Sequence, residues 1–247
     1  MWTRKDLKQN AKAVLKKNYW MPFAVSLVYA LLSGSSGGSS GGASSSVGSS
    51  LGSGSSEFQT ESAILIIGIV LVVMLIAFVI AYAFSFFVSG PIAVGKNRYY
   101  MENREVTASF GQLFYGFTHH YLNNAAAMFT TQLFVGLWTL LFIIPGVIKQ
   151  LAWSQVPYIL AENPGMTGKR AREISERMTD GKKWEIFVLE LSFIGWILLG
   201  ALACGVGTFF VMPYVDATYA ELYAKLRQNA LESGYVSAEE LPGFAQA

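Results

Sequence analysis

The sequence predicts an all-α membrane protein: a polytopic bundle of about six transmembrane helices arranged as three hairpins, with interfacial amphipathic helices beside it. Hydrophobic residues make up 53% of the 247-residue chain and charged residues only 14%, against about a quarter charged in soluble domains. Apolar stretches of membrane-spanning length lie between clusters of Lys and Arg. Because cytoplasmic segments carry the excess of Lys and Arg, six crossings place every basic residue except Lys149 on the inner face, together with both chain ends.

The form of the apolar stretches indicates helices rather than barrel strands. Ile64–Ala81 is a continuous apolar run, whereas the strands of a membrane barrel alternate in polarity over about ten residues. A helix satisfies its backbone polar groups within its own segment, as lipid requires. Ala63–Val88 is the clearest span. Along it, Ala77, Ala81 and Ser85 recur at a spacing that favours close helix packing or, alternatively, dimerisation.

Residues 1–18 predict a basic amphipathic helix on the inner surface of the membrane. Six Lys and Arg residues are interspersed there with apolar residues at helical spacing. These apolar residues are Leu7, Ala11, Val14 and Leu15. The segment Tyr19–Leu32 is predicted to be the first crossing. A cleaved secretory signal peptide is the alternative, but Pro22 interrupts the apolar core and no clear cleavage motif follows it.

Polar segments separate the predicted spans. Residues 33–61 contain a long run of Ser and Gly, which predicts a flexible external loop. Residues 90–124 and 162–183 carry Lys and Arg and predict cytoplasmic helical segments. In the first of these, the apolar residues at positions 110, 113, 114 and 117 mark one face of an interfacial helix. With a polar cytoplasmic tail at 228–247, these segments leave a six-helix transmembrane domain at 19–227.

Two similar helical hairpins are predicted in the second half of the chain. The first consists of Ala125–Ile144, a break at Pro145-Gly146 and a return arm that runs to Ala161. The second consists of Trp184–Leu202, a break at 205–207 and a return arm from Thr208 to about Tyr223. Each break is either a tight outer turn between two crossings or the tip of a re-entrant hairpin. Both alternatives return the chain to the inner face.

A set of short motifs in these hairpins resembles a bacterial family of integral membrane proteins known as domain of unknown function 975. The motifs are Ile143–Lys149, Pro157–Pro164, Ser175, Met178, Gly181-Lys182, Leu191–Trp196, Gly205–Gly207 and Pro213-Tyr214. The likeness extends from the basic N-terminal helix to Tyr223. It implies a multi-pass protein of the bacterial cytoplasmic membrane and brings no activity, substrate or catalytic residue.

Polar residues inside the predicted spans are the candidate site. Asp216 and Glu190 are intramembrane carboxylates, and Gln155 and Gln132 add uncharged polar groups to neighbouring spans. A carboxylate within a membrane helix is costly, so it usually faces the interior of the bundle and serves a function. If the four residues converge, they form a site for a proton or a cation. The alternative is structural, with Asp216 hydrogen-bonded to a hydroxyl such as that of Tyr158 or Thr218.

The basic inner face is the second candidate site. Residues 166–180 predict a short exposed cytoplasmic helix that begins at Thr167 as its N-cap. The candidate contacts to anionic lipid headgroups or to a protein partner are Lys169, Arg170, Arg172, Arg177, Lys182 and Lys183. Each basic residue near an anionic membrane surface contributes about 1 kcal/mol to binding.

No enzymatic motif accompanies these sites. The sequence has no His-Glu-x-x-His zinc motif, no Gly-x-Ser-x-Gly nucleophile motif and no phosphate-binding loop. Neither the adjacent pair His119-His120 nor the single Cys204 has the spacing of a metal site, so no metal or cofactor is expected, and no nucleic-acid partner. The sequence favours a non-enzymatic scaffold or accessory protein that engages lipid or a protein through its basic face. The alternative is a small proton- or cation-coupled transporter.

Overall fold

The structure is a computed structural model that describes residues 2–33, 56–202 and 206–244. All its regular elements in these ranges are helical. They are α1 (Arg4–Lys17), α2 (Trp20–Leu32), α3 (Ser56–Phe84), a π-helical turn (Ser85–Ser89), α4 (Gly90–Glu105), a 3-10 helix (Phe110–Phe114), α5 (Tyr115–Thr118), α6 (Tyr121–Leu141), α7 (Ile143–Ala152), α8 (Val156–Glu162), α9 (Gly168–Thr179), α10 (Lys183–Leu202) and α11 (Val206–Glu232).

Three of the described helical segments are long and apolar enough to cross a membrane. They are Leu65–Glu105, Tyr121–Leu141 and Lys183–Leu202. The first crossing predicted from the sequence corresponds to α2, which has only 13 residues. Most of the predicted loop at 33–61 lies outside the described residues, as does part of the predicted break at 205–207. Residues 56–61 belong to the first turns of α3 rather than to a loop.

The helix α4 lies at the centre of the packed part of the molecule. It continues directly from α3 through the π-helical turn, and most of its residues are buried against α2, α6, α8 and α11. Gly95 permits the close approach of the 3-10 helix, because a Cβ there would overlap the carbonyl of Leu113. The segment at 90–124 is therefore internal at its start, not a helix on the membrane surface. The single apolar face predicted at 110–117 is divided between the 3-10 helix and α5.

The amphipathic helix predicted at the N-terminus is present as α1, but its apolar face is not free to enter a membrane. Leu7, Ala11 and Leu15 are buried, and α1 packs along α11. Thr3 caps the helix by accepting a hydrogen bond from the Asp6 amide. The prediction that the apolar face lies on the membrane surface is wrong, because the protein itself covers that face.

The return arm of the first hairpin is short and broken. α7 packs back along α6, and a Cβ at Gly146 would overlap Thr139, so the two helices touch near their shared tip. Lys149, on α7, forms a 2.8 Å ion pair with Glu176 on α9. The six-crossing topology had placed Lys149 and α9 on opposite faces. That expectation is wrong, since a 2.8 Å contact cannot join the two faces of a bilayer.

The C-terminal residues fold back onto the helices instead of forming a free polar tail. α11 continues to Glu232, and beyond it Val236, Leu241 and Phe244 are buried. The Arg227 guanidinium donates a 2.7 Å hydrogen bond to the carbonyl of Leu241. Residues 233–244 therefore cover the ends of α8, α9 and α11.

Candidate functional site

Two ion pairs join α4 to α11. Lys96 Nζ lies 2.7 Å from Asp216 Oδ1, and Arg104 Nε lies 2.7 Å from Glu221 Oε1. The side chains of Lys96 and Asp216 are only 13% and 15% exposed. From the first pair to the second, the residue numbers rise on both helices, so α4 and α11 run in the same direction here. Each of these two carboxylates on α11 is neutralised by a cation on α4.

The Asp216 carboxylate has a partner for each oxygen. Lys96 donates to Oδ1, and Ser26 on α2 donates to Oδ2 at 2.8 Å. The hydroxyl of Tyr100 lies 2.7 Å from Ser26 Oγ. The ammonium of Lys96 also lies 4.2 Å from the ring centroid of Tyr29. Asp216 is thus the centre of a polar cluster in which α2, α4 and α11 meet.

The hydroxyls expected from the sequence are not the groups that hold Asp216. Thr218 Oγ1 donates to the backbone carbonyl of Tyr214 at 2.8 Å. Tyr158 stacks on Tyr223 with ring centroids 5.2 Å apart. The structural alternative therefore has a different chemistry from the one predicted, since a lysine and a serine provide the contacts.

The four residues of the predicted intramembrane site are divided among three places. Glu190 lies near the Tyr219 hydroxyl, which is also within electrostatic reach of Asp216. Gln155 packs near α9, where its backbone amide donates to Ser175 Oγ at 3.2 Å. Gln132 lines an apolar groove of about 590 Å³ between α3 and α6. Asp216 and Glu190 are therefore neighbours through one tyrosine, and the two glutamines lie elsewhere.

A further carboxylate, which the sequence analysis did not single out, is enclosed completely. The Glu162 side chain has no exposed surface. It accepts hydrogen bonds from the Tyr223 hydroxyl at 2.6 Å, Arg227 Nε at 2.7 Å and the Gly243 amide at 2.7 Å. A buried carboxylate is stable only with such compensation. A signal existed in the sequence, because Glu162 directly follows the apolar run at 159–161.

The predicted basic contacts differ in how far they are already used. On α9, Thr167 caps the first turn as predicted, and Arg170 Nε bonds Glu240 at 2.8 Å. Arg177 lies over the Tyr235 ring at 4.4 Å. Lys169 is exposed, whereas Arg172 is half-buried against α6. α9 is therefore not a fully exposed helix, since one face packs on the bundle and part of its charge is bound internally.

Three other basic residues also differ in how far their charge is already bound within the protein. Lys182 lies beside a surface pocket with Asp180, and Lys183 Nζ is 3.7 Å from the Asp180 carboxylate. On α1, Lys8 donates a 2.7 Å hydrogen bond to Ser192 Oγ on α10. Burial and the neighbouring charges of α1 lower the pKa of Lys8. By contrast, other α1 basic residues point to solvent, namely Arg4, Lys5, Lys12, Lys16 and Lys17.

The ion pairs around α9 shift the ionisation of their members. Hydrogen bonds from Arg170 hold the pKa of Glu240 below its ordinary value, and the same pair raises the pKa of Arg170. A hydrogen bond from Lys149 lowers the pKa of Glu176. These carboxylates are therefore charged at neutral pH and fix α9 to α7 and to the C-terminal segment. Among the described residues, no three His, Cys, Asp or Glu side chains are grouped to hold a metal ion.

Comparison with known proteins gives one match. The model of the family described as "Protein of unknown function (DUF975)" matches residues 107–230, about half of the chain. The matched region begins just after α4 and ends near the C-terminus of α11, so it contains both helical hairpins. The resemblance inferred from the sequence motifs is confirmed. No curated protein and no solved structure matches the chain.

Proposed function

We propose that this chain, which belongs to the DUF975 family, is a non-enzymatic scaffold or accessory protein of the bacterial cytoplasmic membrane whose basic face binds anionic lipid headgroups. One contrast carries the proposal. The buried carboxylates Asp216, Glu221 and Glu162 each have a cationic partner inside the protein. Much of the remaining positive charge, on α1 and on α9, lies at the surface.

The proposed topology keeps both chain ends in the cytoplasm and three hairpins in the membrane. In this topology the pairing of Lys149 with α9 puts Lys149 on the proposed cytoplasmic side with the other Lys and Arg residues, as the positive-inside rule favours. We assign the first hairpin to α2 and α3, the second to α6 and α7, and the third to α10 and α11. In the second, Phe142 at the tip and Lys149 are only about 10 Å apart at helical rise. That is about a third of the hydrocarbon core, which favours a re-entrant hairpin.

The exposed basic residues of α1 support lipid binding through charge rather than through insertion. Its apolar face is already packed on α11, so what remains outward is a cationic surface. Such a surface near anionic headgroups gains about 1 kcal/mol per Lys or Arg. Trp20 and Trp184, both more than 70% exposed, lie at the starts of α2 and α10. Exposed tryptophans are typical of the membrane–water interface.

Proton- or cation-coupled transport is the second candidate, and one observation favours it. The Tyr219 hydroxyl lies within electrostatic reach of both Glu190 and Asp216, an arrangement that fits a short proton relay. Against it, both oxygens of Asp216 are held by Lys96 and Ser26, so the carboxylate is already neutralised. In a transport site, Asp216 would have to release Lys96 and bind the substrate ion instead.

Lipid enrichment tests the main proposal. Full-length protein would be reconstituted in nanodiscs with equal amounts of phosphatidylglycerol and phosphatidylcholine, extracted gently, and analysed by native mass spectrometry. We expect retention of phosphatidylglycerol, reduced when Lys5, Lys16 and Lys17 are all replaced by Gln. Equal retention of the two lipids would refute the proposal, and capture of a protein in place of lipid would redirect it. A pH-driven flux in liposomes that Asp216→Asn abolishes, with folding intact, would instead favour transport.

A further inference from the structure

The guanidinium of Arg172 is fixed at the junction of α6 and α9. Its Nη1 donates to Thr130 Oγ1 at 3.0 Å and to Thr131 Oγ1 at 3.3 Å. The two hydroxyls in turn donate to backbone carbonyls of α6, those of Ala126 and Ala127. Their oxygens are therefore oriented to accept from Arg172. Nη1 is anchored in this way, which leaves the other N–H donors of the planar guanidinium available.

Arg172 lacks the counter-charge that Arg170, on the same helix, has. Arg170 pairs with Glu240, whereas among the described residues Arg172 forms no ion pair. The acidic group one turn along the helix, Glu176, bonds Lys149 at 2.8 Å and Trp153 Nε1 at 3.4 Å. Partial burial also lowers the pKa of Arg172, so the fixed charge carries an uncompensated cost of desolvation. A guanidinium that is fixed, partly desolvated and without a counter-charge favours the binding of an external anion.

The position of Arg172 coincides with a boundary on the surface of α6. Before it, Met128 and Thr131 are buried, and after it the large apolar residues from Leu133 to Leu141 are exposed. Aromatic rings flank the guanidinium, with Phe134 at 5.4 Å and Trp153 at 6.0 Å from its carbon. An exposed apolar helix surface that ends at aromatic and cationic side chains is typical of the level of the lipid headgroups.

Close packing keeps the arginine at this level. A Cβ at Gly168 would come within 2.8 Å of Ala127 Cβ and 3.5 Å of Arg172 Nη1, so α9 can approach α6 only because this position is glycine. Lys169, next to Gly168, is exposed in the same first turn of α9. The positive end of the helix dipole lies in that turn as well. The N-terminal part of α9, which packs on α6, thus carries two cations and the positive end of the helix dipole.

We propose that Arg172 and Lys169 form a binding site for the phosphate of an anionic lipid at the α6–α9 junction. The free edge of the guanidinium binds two phosphate oxygens, a geometry that arginine matches better than lysine, and Lys169 adds charge. The acyl chains lie along the exposed face of α6 between Leu133 and Leu141. This site deepens the proposed function and rests on it, because it names the position at which the basic face selects an anionic headgroup.

The test measures the affinity of full-length protein in neutral detergent for short-chain phosphatidylglycerol and, separately, for inorganic phosphate. Native mass spectrometry counts the bound molecules. We expect Arg172→Gln to weaken phosphatidylglycerol binding about tenfold, and Arg172→Lys to restore part of it. Lys225→Gln is the control, because Lys225 is an exposed basic residue of α11 outside the proposed contacts, and we expect its affinity to stay within about twofold of the wild type. Thr130→Val keeps the charge but removes the anchor, and we expect an intermediate loss.

The outcomes separate this site from the broader proposal. If the α1 variant with Lys5, Lys16 and Lys17 replaced loses lipid while Arg172→Gln does not, the site is refuted and the proposed function stands. If neither variant changes lipid binding, both are refuted. If inorganic phosphate binds as tightly as phosphatidylglycerol, the ligand is a free anion and the lipid assignment fails. Should Arg172→Gln unfold, equal lipid affinity in folded Thr130→Val and wild-type protein would overturn the site.

Discussion

The two parts of the long helix from Ser56 to Glu105 reverse the usual relation between polarity and burial. In α3, every residue from Leu65 to Ala81 is exposed, although the stretch is almost wholly apolar. In α4, Asn97 and Arg98 are 5% and 3% exposed. Within the described ranges, little protein packs around the apolar part, whereas the polar part is at the centre of the fold. The difference indicates two solvents along one helix, with lipid around α3 and protein around α4.

Each part satisfies a different physical requirement. A soluble protein rarely exposes an apolar surface as extended as that of α3, and its 29 residues, about 43 Å at helical rise, exceed the roughly 30 Å hydrocarbon core. α4 instead has to compensate buried charge. Arg98 does so through the carbonyl of Ala161 at 2.8 Å, Glu102 at 3.0 Å and the Tyr115 ring at 3.9 Å. Mutations should therefore have opposite consequences in the two parts.

The largest effect is expected from breaking the Lys96–Asp216 ion pair between α4 and α11. Asp216→Asn leaves Lys96 buried without its counter-charge, so the free energy of unfolding should fall by about 3–5 kcal/mol. Thermal unfolding in detergent would measure the loss. The double variant Lys96→Met with Asp216→Leu removes both charges and should recover much of the stability. A single variant as stable as the wild type would show that the pair is not held in a low-dielectric core.

The next effect concerns α3 and its solvent. Leu71 is 62% exposed in the middle of the apolar stretch, so Leu71→Arg should leave the packing around α4 unchanged. If lipid surrounds this position, a central arginine costs about 2.5–3.5 kcal/mol of insertion free energy. The membrane-integrated fraction after alkaline extraction would then fall, with Leu71→Ala as control. Full integration of the arginine variant would mean that water or another protein segment faces Leu71.

Two glycines, one in each part of the long helix, allow a direct comparison with a smaller expected effect on stability. A Cβ at Gly95 would overlap the carbonyl of Leu113, whereas a Cβ at Gly68 would meet nothing within 4 Å. We expect Gly95→Ala to lower the free energy of unfolding by about 1–3 kcal/mol through overpacking. Gly68→Ala should be neutral or raise helix stability by up to about 1 kcal/mol. Equal melting temperatures for the two variants would contradict the assignment of the two environments.

Local patterns predicted much of the secondary structure. The apolar run that forms α3, the amphipathic pattern of α1 and the N-cap at Thr167 depend on neighbouring residues and can be read from the sequence. The family motifs and the all-helical class follow from the same kind of signal. The number of crossings is a different matter, because hydropathy does not distinguish a helix that spans lipid from a shorter return arm such as α7.

The contacts that define the candidate site depend on distant residues, and sequence spacing does not reveal them. Lys96 and Asp216 are 120 residues apart, and Lys149 and Glu176 are 27 apart across a hairpin. The sequence assigned Lys96 to a cytoplasmic helical segment and Asp216 to a span, and nothing local indicated that they meet. Likewise, the apolar face of α1 has the same pattern whether it packs on α11 or on lipid. Burial of that face depends on the tertiary fold alone.

The smallest effect is expected where α9 holds the C-terminal segment, at the edge of the packed part. Glu240 accepts two hydrogen bonds from Arg170, at 2.8 and 3.2 Å, and these lower its pKa. Its folded pKa thus lies below the ordinary value of about 4.3, so the stabilisation is complete above that pH. It is lost as the pH falls through the folded pKa. Both side chains are 32% exposed, which limits the contribution to less than about 1 kcal/mol.

Hydrogen-exchange protection of residues 236–244, corrected for intrinsic rates, measures this local stability. In the wild type it should decrease as the pH falls below about 4.3 and through the lowered folded pKa of Glu240. Glu240→Gln should show the reduced protection already at neutral pH, with a weaker dependence on pH. Lowered pKa values also occur at Glu176, so the difference between the two proteins, rather than the wild-type curve alone, isolates the Arg170–Glu240 pair. Identical curves would show that buried Leu241 and Phe244 hold the segment without help from the ion pair.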